Sequence, residues 1–307
     1  MGIEITSIAF RLLKIQEISI FLLYTGLIIY LSLSLIFLFK IIQFTKNISF
    51  ISRNKILGYF TFSAGSAVLG TRLIVNGLYF FAYLLFYLTI VSIAVFAIMY
   101  FNEYRIKIDL HFYFMPFISI LSFSVLFSQM LYIINIRSQY YTLLLTFLFL
   151  AGNAGYIAVT AKAFKSYNKI FNSSKINGFY MVYAGIGSLA SLAGLNAIKI
   201  ISNVFVFAFI EKLSYIDYFY GIIMSFFVLT LFFIKFIRNI SHKYSVSWWG
   251  AVFPLGVLSA GSSIVWFLTG IPAVKYFAYF YAFMALILII YAFIHISWIF
   301  ISELRSK

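Results

Sequence analysis

The chain has 307 residues, of which 64% are hydrophobic and 9% charged, and its 22 Lys and Arg against 7 Asp and Glu give a formal net charge of +15. A water-soluble domain has roughly 45–50% apolar and about 25% charged residues, so a soluble enzyme and a free nucleic-acid binder are both excluded and a polytopic membrane protein remains. There is no cysteine, which removes disulfides, thiolate metal sites and thiol nucleophiles.

The amino-terminal stretch MGIEITSIAFRLLKIQE lacks the basic start, apolar run and small-residue cleavage site of a secretory leader. A hydrocarbon core about 30 Å thick takes about 20 apolar residues per helix. On that measure the first segment, 1–13, is too short to span and ends in Arg11 and Lys14. Nine further apolar segments follow, at 18–44, 57–73, 77–101, 111–136, 140–163, 177–198, 217–236, 247–268 and 273–301. The expectation is one all-α transmembrane domain over 1–307, with ten helices. Between Asn196 and Asp217 the apolar stretch 200–210 is too short to span and reads as an extension of the seventh helix or an interfacial segment. His111, His242 and His295 are far apart and form no metal-ligand spacing.

With ten alternating segments, one side of the membrane holds Lys40, Lys46, Arg53, Lys55, Arg105, Lys107, Lys162, Lys165, Lys169, Lys175, Lys235, Arg238, Lys243, Arg305 and Lys307, which is 15 of the 22 basic residues. Arg11, Lys14, Arg72, Arg137, Lys199, Lys212 and Lys275 fall on the other. Basic loops face the cytoplasm, so both termini are expected there, in the plasma membrane. Short connections at 135–139 and 269–272 make consecutive helices antiparallel neighbours.

The odd segments resemble one another. The third reads YFTFSAGSAVLGTRL from Tyr59, the fifth FYFMPFISILSFS from Phe112, the seventh FYMVYAGIGSLASLAG from Phe179 and the ninth WWGAVFPLGVLSAGSS from Trp248. Aromatics open each, then Ala64, Pro116, Ala184 or Pro254, then small and hydroxyl residues. The even segments are Leu, Ile and Phe almost throughout. Small residues allow close helix packing or a polar cavity, while bulky apolar helices suit lipid, so the odd helices are expected inside. Proline in mid-membrane frees carbonyls and kinks a helix, so Pro116 and Pro254 predict two kinked inner helices and a constriction near mid-membrane. Packing alone explains the small residues equally well.

These segments resemble the tellurite-resistance/dicarboxylate transporter family, which includes fungal malate and sulfite exporters and the slow anion channels of plant guard cells. WWGAVFPLGVLSAGSS is similar to the family's ninth helix, YFTFSAGSAVLGTRL to its third, Pro116 falls where its fifth helix has proline, and MGIEITSIAF is similar to the interior of its first. On that match the chain begins mid-helix, and Glu4 replaces a small residue. The resemblance implies five helical hairpins in a quasi-fivefold ring, odd helices lining a central pore, and a homotrimer of independently conducting protomers. It also implies a phenylalanine gate, which carries over as Phe253, with Ser63, Met115 and Tyr183 at equivalent positions and Tyr183 as a second constriction.

The resulting candidates are Phe253 and Tyr183 as gate, and Pro254, Gly256, Pro116, Ser119, Ala64, Gly65, Ala184, Gly185, Ser188, Gly2, Thr6 and Ser7 as lining or kink residues. Ser63, Ser66 and Ser259 add hydroxyls. An anion needs weak contacts, since one held tightly does not leave. Arg72 and Arg137 at the far ends of their helices either attract anions or snorkel to the headgroups. Glu4 is the acid placed for proton coupling if its position is not simply a chain end. Glu103 and Asp109 flank Arg105 and Lys107 in a solvated turn rather than a metal motif, so an intramembrane enzyme is not expected. The function expected is transport of small inorganic anions or C4-dicarboxylates through a gated pore, with a proton-coupled organic-acid or sulfite carrier as the alternative and a membrane sensor behind it. Partners are lipids and small anions; no cofactor, metal or nucleic acid is expected.

Overall fold

The computed structural model describes residues 1–44, 53–102, 110–165, 178–237 and 247–305. Among them are ten α-helices: α1 (Gly2–Leu12), α2 (Gln16–Phe44), α3 (Arg53–Val75), α4 (Tyr79–Asn102), α5 (Met115–Ile134), α6 (Gln139–Lys165), α7 (Val182–Ala197), α8 (Val204–Ile237), α9 (Ser247–Thr269) and α10 (Pro272–Arg305). No strand interrupts them in the described residues. Eight helices are long and apolar enough to cross a membrane; α1, with 11 residues, and α3, with its basic and hydroxyl side chains, are not among the eight.

Two classes of helix follow from composition. In the spanning window of α7, 94% of residues are buried, against 17% in α2 and in α4. α1, α5 and α9 are largely buried too, whereas α6, α8 and α10 expose broad apolar faces. Gly, Ala and Ser leave little room for anything but another helix to pack on, and Leu, Ile and Phe on every side suit lipid. Each helix of the first class packs on its successor as a hairpin: α1 on α2, α3 on α4, α5 on α6, α7 on α8, α9 on α10. The inner helices also contact one another: α1 with α3, α3 with α5, α5 with α7, α7 with α9, and α9 with α1.

The hairpin turns have local causes. Gly77 and Gly270 take φ of +77° and +70°, a left-handed conformation that glycine adopts without Cβ strain, and Asn135 caps α5 with φ 56°. Pro272 opens α10, where its missing N–H is not needed.

Two elements differ from the sequence expectation. The stretch 200–210 neither prolongs α7 nor lies apart: 198–203 form a turn, and α8 begins at Val204 and runs 34 residues, so a helix expected at 217 starts 13 residues sooner. Ile210, Ser214 and Asp217 are buried at helical spacing, so 204–216 carry the same buried stripe into the helix, and Asn203 caps it by accepting bonds from the N–H of Phe205 and Val206 at 3.0 and 3.1 Å. Pro116 stands in the first turn of α5, behind a 3-10 turn at Leu110–Phe114, and breaks no helical hydrogen bond there. Pro254 does sit inside α9. Lys46, Arg105, Lys107, Lys169, Lys175, Arg238, Lys243 and Lys307, with Glu103, Asp109 and His242, lie outside the described residues.

Candidate functional site

The C-terminal halves of the inner helices stand around a cavity of about 250 Å³. Every one of them lines it, and each does so at helical spacing: Ile5, Ile8 and Leu12 on α1; Val68, Thr71 and Val75 on α3; Ser122, Val125 and Gln129 on α5; Leu189, Leu192 and Asn196 on α7; Ala260, Ile264 and Phe267 on α9. Steps of three and four residues keep side chains on one face. The wall is mainly aliphatic, and Gln129, Asn196 and Lys199 gather towards the helix ends. Asn196 Oδ1 accepts bonds from Gln129 Nε2 and Lys199 Nζ, both at 3.0 Å, while Asn196 Nδ2 donates to Leu192 O at 2.8 Å. Ser122 Oγ is buried with no hydrogen-bond partner among the described residues.

Lys199 lies in the turn beyond α7, exposed to the space the cavity opens into and hemmed by the surrounding helices. Desolvation holds its pKa below the ordinary lysine value, because leaving water disfavours the charged form.

The candidates drawn from the sequence lie elsewhere: none of the fourteen lines this cavity. Phe253 is 4% exposed and Tyr183 2% exposed, both in the core beneath it. With Ser63 and Met115, also buried, they lie five to seven residues before the first cavity-lining residue of their helices, about 8–10 Å lower at 1.5 Å per residue. Tyr183 meets Phe114 edge to face at 4.9 Å.

The small residues serve contacts between helices. A Cβ at Gly185 would come within 2.6 Å of Pro254 Cα, one at Gly256 within 2.6 Å of Ile5 Cγ2, and one at Gly2 within 3.0 Å of Val252 Cγ1. Gly65 faces Met1 at 3.8 Å. Ala64 and Ala184 are buried, and the Ala184 carbonyl and Ser188 Oγ pack where Gly221 of α8 has no side chain. The hydroxyls are engaged likewise: Thr6 Oγ1 donates to Gly2 O at 2.8 Å and Ser119 Oγ to Phe60 O at 2.6 Å. Ser259 Oγ donates to Ala278 O at 2.7 Å, and Ser63 and Ser66 bond Ser92 and Tyr30 of the outer helices. Ser7 Oγ donates to Ser19 O at 2.6 Å.

Arg72 was expected at an external mouth or snorkelling; it is fully buried, bonded to Ser7, Ser19 and Asn76. Glu4 is also buried, pressed on Gly26 of α2 and paired with the Met1 amino group, so it faces an outer helix and not the cavity. His295 meets Tyr291 edge to face, with ring centroids 4.4 Å apart, within α10.

Gln129, Asn196, Lys199 and Ser122 were missed because the sequence argument followed small residues; a search for polar side chains in phase with an aliphatic inner stripe finds them. A buried carboxyl was missed as well. Asp217, expected at the very start of the eighth helix, is 1% exposed well inside α8, where it accepts a hydrogen bond from Tyr156 of α6 and its backbone carbonyl lies against Gly187 of α7. A second hollow of about 790 Å³ opens on the outside between α8 and α10, walled by Phe226, Phe233, Trp248 and Met284, and belongs to the lipid-facing surface.

An all-helical bundle with buried small-residue helices, apolar outer helices and a shared internal cavity has the outline of a membrane pore. The family model described as voltage-dependent anion channel matches residues 1–296. The chain belongs to this family. No individual curated protein matches it. As a member of the voltage-dependent anion channel family it is a multi-pass membrane protein that moves anions across the bilayer, and its family is one of channels rather than enzymes.

Proposed function

We propose that the cavity and the closed layer beneath it are two halves of one anion path, running through a quasi-fivefold ring of inner helices α1, α3, α5, α7 and α9. The observation that carries this reading is a cavity to which all five inner helices contribute, ending above a buried layer that contains Phe253 and Tyr183. Phe253 closes the path as an apolar plug, by occlusion or dewetting, and Tyr183 narrows it on the neighbouring helix. Gly185 against Pro254 lets α7 and α9 meet closely enough for these two aromatics to block it.

The lining suits weak contacts. Gln129, Ser122 and the Lys199 ammonium supply donors, and among the described residues the wall offers one ammonium rather than two. That favours singly charged inorganic anions over a C4-dicarboxylate, whose two carboxylates need a pair of cations. The basic excess of one set of loops supports a plasma-membrane orientation with both termini cytoplasmic, and the resemblance supports a homotrimer and a single transmembrane domain. Electrogenic chloride and nitrate flux into proteoliposomes, compared with malate, tests the reading: inorganic flux that follows the electrochemical gradient supports it, and malate flux exceeding chloride overturns the choice of anion.

One observation favours a second reading. Asp217, buried in the membrane against α7 and held by Tyr156, is the kind of intramembrane acid that a proton-coupled carrier uses. Asp217→Asn separates the two. A coupled carrier loses uptake driven by a pH gradient, whereas a channel keeps voltage-driven flux.

A further inference from the structure

The transport reading leaves a buried guanidinium unexplained. Arg72, in the last turn of α3, is 0% exposed. Its Nε donates to Ser7 Oγ of α1 at 2.9 Å, its Nη2 to Ser19 Oγ of α2 at 2.7 Å and its Nη1 to Asn76 Oδ1 at 2.7 Å. Ser19 Oγ also donates to Ser7 O at 2.8 Å, which ties α1 to α2 around the cation. All three acceptors are neutral, and the ion pair seen among the described residues joins Glu4 to the Met1 amino group instead. A basic residue near a helix end ordinarily snorkels to the interface. A charge kept dry and without a counter-ion in a membrane is costly and marks a function.

The place of this charge shows what it does. Thr71 and Val75 of α3, and Ile8 and Leu12 of α1, line the cavity, while Arg72 and Ser7 turn to the α1–α2–α3 junction behind that wall. The guanidinium is therefore about one helix spacing, about 8–10 Å, from the cavity. All five inner helices end around the same cavity, at Leu12, Val75, Ile134, Ala197 and Thr269. Each C-terminus carries roughly half a negative charge, and five together repel an anion.

A basic residue stands near each of these ends: Arg11, Arg72, Arg137 and Lys199 at or just past theirs, and Lys275 in the first turn of α10. Arg11, Arg137 and Lys275 are reached by solvent, where salt screens them; Lys199 lines the cavity itself, and of the five Arg72 is the one buried behind its wall.

We propose that Arg72 determines the preference of the path for anions over cations: each of its three nitrogens is held, by Ser7, Ser19 or Asn76, and buried behind the α1–α3 wall the guanidinium projects positive potential into the cavity without offering the ion a contact. An anion on a free guanidinium would be held by paired hydrogen bonds and would leave slowly; a field from behind the wall attracts without trapping. This rests on the cavity being the anion's path.

Reversal potentials in planar bilayers under a KCl gradient test it, with the wild type, Asn76→Asp, Arg72→Lys and Arg72→Gln. Asn76→Asp keeps the acceptor in place and adds a carboxylate that cancels the guanidinium, so the fold is retained. It is expected to lower the chloride-to-potassium permeability ratio on the order of tenfold, the effect of one unit charge across about 10 Å of protein. Arg72→Lys keeps the charge and is expected to hold the ratio within about twofold even where its melting temperature falls, since lysine cannot serve three acceptors in a fixed fork. Arg72→Gln is expected to follow Asn76→Asp, and Asn76→Asp carries the test should Arg72→Gln not fold. A folded Asn76→Asp protein with the wild-type ratio overturns the proposal for Arg72 and leaves the path standing. A wild type that passes no anion current overturns the path itself, and with it the role of Arg72.

Discussion

In their N-terminal halves the inner helices touch: Gly185 meets Pro254, Gly2 meets Val252, and Phe253 and Tyr183 are packed out of reach of solvent. In their C-terminal halves the same helices stand apart around about 250 Å³, with Gln129, Asn196 and Lys199 joined at the end. Both halves contain small and hydroxyl residues, so composition does not separate them. Glycine faces a neighbouring helix in both, Gly185 on Pro254 in the closed half and Gly70 on Leu126 and Gly194 on Phe149 in the open one. What differs is the third face of each helix, which in the open half turns Ile, Leu and Val to a void. A small residue in this fold marks a helix contact more often than it marks a path.

Forcing the closed half apart has the largest effect. Gly185→Val places side-chain atoms where a Cβ alone would meet Pro254 Cα at 2.6 Å; overpacking of this kind costs about 1–3 kcal/mol or more, and thermal unfolding in detergent should show a lower melting temperature and a poor folded yield. Phe253→Ala opens the closed half without moving backbone. Anion flux in proteoliposomes should rise at least about tenfold, equal to about 1.4 kcal/mol from the barrier, and unchanged flux in a folded protein removes Phe253 from the gate.

The open half is sharpened by Lys199. Since its pKa lies below the ordinary lysine value, its charge is lost as pH rises, before that of a solvated lysine. Flux should therefore fall on the alkaline side, and Lys199→Arg should flatten the profile because a guanidinium stays charged. The lowered pKa of Lys199 also makes stability depend on pH. Desolvation opposes the charged form, so losing the proton relieves folding, and stability gains appear above the lowered pKa. The smallest effect belongs to Ser188→Ala. This hydroxyl is buried without a hydrogen-bond partner among the described residues, so its removal should be within about 0.5 kcal/mol of neutral or stabilising, with flux unchanged. A flux change would return Ser188 to the path.

The sequence made the membrane class, the two kinds of helix and the hairpin order legible, because each follows from local composition and span length. The odd helices' aromatic start and small-residue middle mark helices that the fold buries. Their individual roles were not legible. Ser7 was in view as a lining hydroxyl, yet its orientation depends on Ser19 and Arg72, 12 and 65 residues away. Arg72 reads as a surface cation until α1 and α2 close over it. Asp217 reads as the first residue of a helix, at the membrane edge, until α8 is seen to begin at Val204.

The sequence by itself therefore determined that this chain lives in a bilayer, as paired helices with a small-residue inner set, since hydropathy and residue size act over one helix at a time. It also held, unread, the three- and four-residue stripes that face the cavity. Tertiary structure alone decided which stripe faces the void and which faces a neighbour, where the five helix ends converge, and which cation loses its solvent. Those properties belong to contacts between residues far apart in the chain, and rotating a helix by a third of a turn would change them all without altering its composition.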